Sequence, residues 1–157
     1  MLDGSLSPLA PELRALVMVR VSQLNGCRFC VDLNSLTVLQ RGISEAKLLA
    51  VQVWRSSPQF SELERAALDY AEAMTRQPDA IAASTRDALR DHFDENEIIE
   101  LTALIAFQNL SSRFNSALGV PPQGFCALPV PATAEEPGDL PHPRAAAPPG
   151  SRSPRPD

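Results

Sequence analysis

The chain is poor in cysteine, in aromatic residues and in lysine. It holds 3 Cys, 1 Trp and 1 Tyr among 157 residues, and Lys47 is its one lysine. Three cysteines do not make the disulfide framework that staples small secreted domains, so an apolar core has to hold the fold. The charge balance, 14 basic against 19 acidic residues for a net of −5, contains no basic cluster, and no nucleic-acid partner is expected. No stretch is long and apolar enough to cross a bilayer, so no membrane partner is expected. The opening Met1-Leu2-Asp3-Gly4-Ser5 has neither a basic n-region nor an apolar h-region. A secretory leader is therefore not expected, and the cytoplasm is the expected location. There is no phosphate-binding glycine loop, internal repeat or strand-like alternation.

What is present is helical periodicity followed by a change of composition. Eleven of the 15 prolines lie from Pro121 onward, and Val130 and Leu140 are the only large aliphatics after Leu128. This composition predicts a folded domain over residues 1–125 and a disordered Pro-rich tail over 126–157. Within the domain, Leu13, Leu16, Val17, Val21 and Leu24 follow i, i+3, i+4 spacing and predict a helix over 11–24. Asn25-Gly26 breaks it, and a second helix is expected over 27–41, closed by Gly42. Ser44 predicts the cap of a helix over 45–55, and Ser61 with Glu64 forms a capping-box pattern for one ending near 76. A short helical piece is expected at 80–83, then a helix capped by Ser84 and ending near 93. Asp94 with Glu97 caps a long helix to about 118, whose apolar face predicts a central helix or an oligomer seam. The fold class is all-α, with about six helices.

The chemistry concentrates in Val21-Ser22-Gln23-Leu24-Asn25-Gly26-Cys27-Arg28-Phe29-Cys30-Val31-Asp32-Leu33-Asn34. Cys27 and Cys30 form a Cys-x-x-Cys pair on a first helical turn. A loop so short restricts the unfolded chain little, which points to redox exchange more than to stapling. The helix N-terminus favours a thiolate, most strongly at Cys27. Arg28 adds positive charge and Asp32 opposes it. Taken alone, the pair also reads as two small buried thiols or as half of a zinc site. Cys126, His92 and His142 are the other candidate ligands and have no recognisable metal spacing, so neither a metal nor a cofactor is expected.

Arg20 to Asp32, Gly42-Ile43-Ser44, Val53-Trp54-Arg55, Phe60 to Leu68 and Asn109 to Gly119 agree in order and spacing with one family. Over about residues 8–125 the chain resembles the AhpD-like alkylhydroperoxidases of the carboxymuconolactone decarboxylase superfamily. The resemblance implies Cys30 as the attacking thiolate, Cys27 as the resolving thiol, a redox-active Cys27–Cys30 disulfide, and a trimer or a hexamer. The family's active motif also has a Glu twelve residues before the first Cys and a His four residues after the second. Those positions here are Ala15 and Asn34. Asn34 can hydrogen-bond but cannot carry a proton at neutral pH, and Ala15 can do neither.

Two residues stand as possible relay substitutes. Asn34 lies one turn after Cys30, where it can hold a water or donate to a thiolate. Glu12 lies three residues before Ala15, where it either serves the helix dipole or replaces the lost acid through a water. The resemblance implies that Trp54 belongs to the core or to a subunit contact; Tyr70 reads as a core residue, His92 as an exposed or simply bonded one, and Cys126 as an incidental thiol or a resolving one from a neighbouring subunit. The function expected first is a thiol-dependent peroxidase or disulfide reductase, an antioxidant activity of peroxiredoxin type weakened by the missing relay. Its substrate is a hydroperoxide or a disulfide, and an external thiol or redox protein is the reductant. The alternatives are a non-catalytic redox-sensing or partner-binding member of the family and, further off, a lactone decarboxylase.

Overall fold

The computed structural model describes residues 7–132. Six α-helices follow one another: α1 Pro11–Leu24, α2 Arg28–Gln40, α3 Glu45–Ala50, α4 Glu62–Arg76, α5 Ala83–His92 and α6 Glu95–Ala117. There is no strand among the described residues.

The helix boundaries follow local chemistry. Ser44, Ser61 and Asp94 each accept the backbone N–H three residues on, and Ser61–Glu64 and Asp94–Glu97 close full capping boxes. Gly42 and Gly119 take φ of +79° and +64° just past α2 and α6, a conformation in which a side chain would be strained. Two expectations differ from the structure. The helix expected over 45–55 ends at Ala50 and tightens into a 3₁₀ turn, Val51–Val53. The short piece expected at 80–83 is not helical before Ala83; α5 starts there with Ala82 as an uncapped N-cap, and Ser84 lies inside it. Ile81 packs against the core just ahead of α5, so tertiary burial, not a side-chain cap, sets where that helix begins.

The central helix is α1, which packs against α2, α4 and α6. Leu16, Val17, Val19 and Val21 are completely buried, and each such side chain is worth about 1.5–3 kcal/mol. By contrast α6 buries Leu101 and Ile105 but leaves Ile99, Phe107, Leu110, Phe114 and Leu118 exposed. Tyr70 is buried with its hydroxyl 3.0 Å from Thr102 Oγ1.

After Gly119 the chain runs back over the start of α2 as a strap. Of the segment expected to begin the Pro-rich tail, Cys126, Leu128 and Val130 are partly buried against the core. Residues 133–157, the rest of the expected tail, lie outside the described residues. The strap is held by the Asp32 carboxylate. Oδ2 accepts the N–H groups of Gln123 (2.7 Å) and Gly124 (2.8 Å), and Oδ1 accepts that of Cys126 (2.8 Å). Phe125 meets Phe29 edge to face, with ring centroids 6.4 Å apart.

Candidate thiol site

The thiol pair sits where α1 turns into α2. The N–H of Gly26, at φ +65°, donates to the Gln23 carbonyl, and the N–H of Cys27 donates to the Ser22 carbonyl at 3.2 Å. This turn leaves Cys27 as the N-cap of α2, and its sulfur accepts the N–H of Cys30 at 3.2 Å. Cys27 and Cys30 are joined as a disulfide with Cα atoms 5.2 Å apart, and both are buried. Arg28 between them is exposed, and Phe29 is half-buried under Phe125.

Among the described residues, no charged group hydrogen-bonds to either sulfur. Asn34 Nδ2 donates to Ser22 Oγ at 2.9 Å, and Ser22 Oγ donates to the Met18 carbonyl at 2.7 Å. From α6, Asn115 Nδ2 donates to Cys30 Sγ at 3.5 Å and to Ser111 Oγ at 3.4 Å. Ala15 lies in the core on α1, two turns before Ser22 and on its face. Glu12 is exposed in the first turn of α1, and no hydrogen bond links it to the thiols, Asn34 or Ser22. His92 is exposed at the end of α5. Cys126 is a free, partly buried thiol on the strap. Among the described residues, no three His, Cys, Asp or Glu side chains converge as a metal site.

The structure thus brings Cys27, Cys30 and Asn115 together, whereas Asn34 bonds to Ser22 of α1 and makes no hydrogen bond to either sulfur. Asn115 escaped the sequence reading because its contact with Cys30 spans 85 positions, with no local spacing to reveal it. Asp32 looked only like a charge opposing thiolate formation, whereas its carboxylate is engaged by the strap. Burial raises the cost of ionising Asp32, but the backbone N–H groups of Cys126, Phe125, Gln123 and Gly124 outweigh it and hold its pKa below the usual value.

A second polar cluster lies on another face of α1. Glu72 of α4 is buried and accepts Arg20 Nε (2.8 Å) and Trp54 Nε1 (2.8 Å) on Oε1, with Arg20 Nη2 at 2.6 Å. Its Oε2 takes Arg55 Nη2 at 3.1 Å, and Arg76 stands 3.6 Å away. Burial opposes the Glu72 charge, but Trp54, Arg20 and Arg55 override it and hold the carboxyl below the ordinary glutamate range. Trp54 therefore has a structural post, with its indole N–H on a buried carboxylate.

An all-helical domain carrying a closed Cys-x-x-Cys pair at a helix N-terminus fits a redox role. The profile of the carboxymuconolactone decarboxylase family matches residues 2–73, and the chain belongs to that family, within its AhpD-like group. It is 50% identical over 128 residues to the uncharacterized protein YnjA of Escherichia coli K12, covering 82% of this chain and 70% of that one. It is 31% identical over 107 residues to the uncharacterized protein YdfG of Bacillus subtilis, covering 68% and 73%. Among solved structures it is similar to a protein of unknown function from Agrobacterium tumefaciens described as a candidate AhpD antioxidant-defence protein. That match has a TM-score of 0.71 at 31% identity and covers 73% of this chain and 80% of that one. It is also similar to the debrominase Bmp8, with a TM-score of 0.69 at 26% identity over 74% and 63% of the two chains.

Proposed function

We propose that this chain is a thiol-dependent peroxidase or disulfide reductase that cycles Cys27 and Cys30 between dithiol and disulfide. The observation that carries this reading is the closed Cys27–Cys30 pair at the N-terminus of α2 in a chain of this family. The Cys30 thiolate attacks the terminal oxygen of a hydroperoxide. The O–O bond breaks, an alcohol leaves with a proton from solvent, and Cys30 becomes a sulfenic acid. The Cys27 thiolate then displaces hydroxide, which leaves as water, and the disulfide forms. An external dithiol reduces it, taking the two oxidising equivalents away. With a disulfide substrate, Cys30 forms the mixed disulfide and Cys27 resolves it.

The rate of the first step depends on the thiolate fraction at Cys30. No carboxylate or imidazole hydrogen-bonds to that sulfur among the described residues. General-base help is typically worth about 10²–10⁴ in rate, and an unassisted thiol is still a few per cent thiolate at pH 7. Slow turnover is the expectation. In a second reading the same pair senses oxidation without turning over, and the lack of an acid or imidazole bonded to Cys30 among the described residues favours it. A reducing compartment such as the cytoplasm suits either reading, because there the pair rests as a dithiol.

A homo-oligomer, a trimer or a hexamer, is part of this proposal. Ile99, Phe107, Leu110, Phe114 and Leu118 recur at helical spacing along α6 and are exposed, which supports a seam between copies. Sedimentation velocity of the full chain tests it: a monomer at micromolar concentration removes the seam.

The deciding experiment measures hydroperoxide consumption with a dithiol reductant for the wild type and for Cys30→Ser. Turnover that Cys30→Ser abolishes supports the peroxidase. A wild type that takes up one disulfide on mild oxidation, a loss of two hydrogens by mass, and consumes no further peroxide supports the sensor.

A further inference from the structure

We propose that Asn115 is the residue that stabilises the Cys30 thiolate, so that a neutral amide on α6 takes over part of the task of the missing acid–base pair. The inference rests on the reading of Cys30 as the attacking sulfur and adds the group that makes it so.

Two sulfurs compete for the negative charge. Cys27 sits at the N-cap, where its sulfur accepts the Cys30 N–H at 3.2 Å and faces the positive end of α2. On backbone grounds alone, Cys27 is the better thiolate. Cys30, one turn in, lacks that advantage, and burial, which raises a thiol pKa, acts on both sulfurs. Among the described residues, the one side-chain donor on its sulfur is Asn115 Nδ2 at 3.5 Å. A hydrogen bond to an anionic acceptor is markedly stronger than one to a neutral acceptor, and burial strengthens it further. Its contribution therefore appears when Cys30 ionises.

The geometry around Asn115 holds the amide in place. Its second N–H is taken by Ser111 Oγ at 3.4 Å, one turn back on α6. The backbone carbonyl of Asn115 accepts the N–H of Val120 at 3.0 Å, closing the last turn of α6 where the strap begins. The strap then returns to Asp32 on α2. Asn115 thus lies on a stretch tied at one end by the cap of α6 and at the other by the helix that carries Cys30. An amide has no titratable proton near neutral pH, so Asn115 lowers the pKa of Cys30 without acting as a base.

The test is the pH dependence of iodoacetamide alkylation of the reduced full-length chain, one thiol at a time. In a Cys27→Ser, Cys126→Ser background, Asn115→Leu keeps the volume of the side chain and removes its donors. The Cys30 pKa is expected to rise by about one, so that alkylation below that pKa slows about tenfold. In a Cys30→Ser, Cys126→Ser background, the same substitution is expected to leave the Cys27 pKa where it was. Asn115→Ala, a smaller change, is expected to give the same pair of results. An unmoved Cys30 pKa in either folded variant overturns the inference, and so does an equal rise at both thiols, which marks a general disturbance of the turn. Because alkylation needs no peroxide, an inert wild type leaves this test intact. Conversely, a working peroxidase with an unmoved Cys30 pKa removes Asn115 while leaving the proposed function standing.

Discussion

Helix α1 carries two polar clusters that differ in kind. Arg20 belongs to an ionic network with the buried Glu72 and Trp54 and the exposed Arg55, in which both carboxylate oxygens are bonded. Ser22, two residues on, belongs to the thiol site with Asn34, where the partners are hydroxyls, amides and carbonyls. Two positions along a helix is more than half a turn, so these clusters face different neighbours, α4 for Arg20 and α2 for Ser22. Charge is buried for architecture in the first cluster, whereas the groups that hydrogen-bond to the sulfurs among the described residues are neutral. Membership of the family and catalytic strength are therefore separate properties: the scaffold holds the pair, while the two positions to which the resemblance assigns a proton relay carry Ala15 and Asn34.

The largest expected effect comes from placing an acid and an imidazole at positions 15 and 34. The double variant Ala15→Glu, Asn34→His is expected to raise peroxide turnover by about 10²–10⁴, measured in the same coupled assay. No gain in a folded double variant means that the α1–α2 packing does not let the two residues act on Cys30. Its thermal midpoint is expected to fall, because Ala15 is buried.

Removing charge from the other cluster is next. Glu72→Ala leaves Arg20 buried without its partner, and chemical denaturation is expected to show a loss of about 3–5 kcal/mol. The alkylation profile of the thiols in the folded fraction should be unchanged. If Cys30 reactivity moves with Glu72, the two clusters are coupled and the contrast between them fails.

Asp32 sits between these cases, as a charge used to tie a strap beside the thiols. Hydrogen bonds to a charged acceptor are worth about 1.5–3 kcal/mol each at most, and Asp32→Ala is expected to cost about that much in all. Hydrogen exchange at Gln123, Gly124 and Cys126 should accelerate in the variant. The pH dependence has a definite sign. The folded pKa lies below the unfolded one, so the stabilisation is fully present above the ordinary carboxylate range. It is lost as pH falls through that range to the lower folded value. Strap amides protected equally at acid and neutral pH would contradict the role given to the carboxylate.

The smallest effect is expected at Ser22→Ala. It removes the acceptor for Asn34, at a cost of about 1 kcal/mol, and shows whether Asn34 then turns to Cys30. A fall in the Cys30 pKa on this substitution would make Asn34 a second donor held away from the sulfur.

The capping boxes at Ser61–Glu64 and Asp94–Glu97 and the glycines at 42 and 119 were readable because a helix end is decided within about four residues. The start of α5 was not, because Ile81 is placed by burial and Ala82 has no capping side chain. The Cys-x-x-Cys pair was likewise visible as spacing along one chain segment, and the two unfilled relay positions followed from the resemblance to the family. The long-range partners were invisible: Asn115 with Cys30, the strap with Asp32, and Glu72 with Arg20 and Trp54. Each joins residues 18 to 94 positions apart. Local spacing determined six helices and where the sulfurs sit. Which neutral or charged group meets each of them was decided by the packing of α1 against α2, α4 and α6, since a polar contact across helices depends on facing and distance, which no single stretch of chain contains.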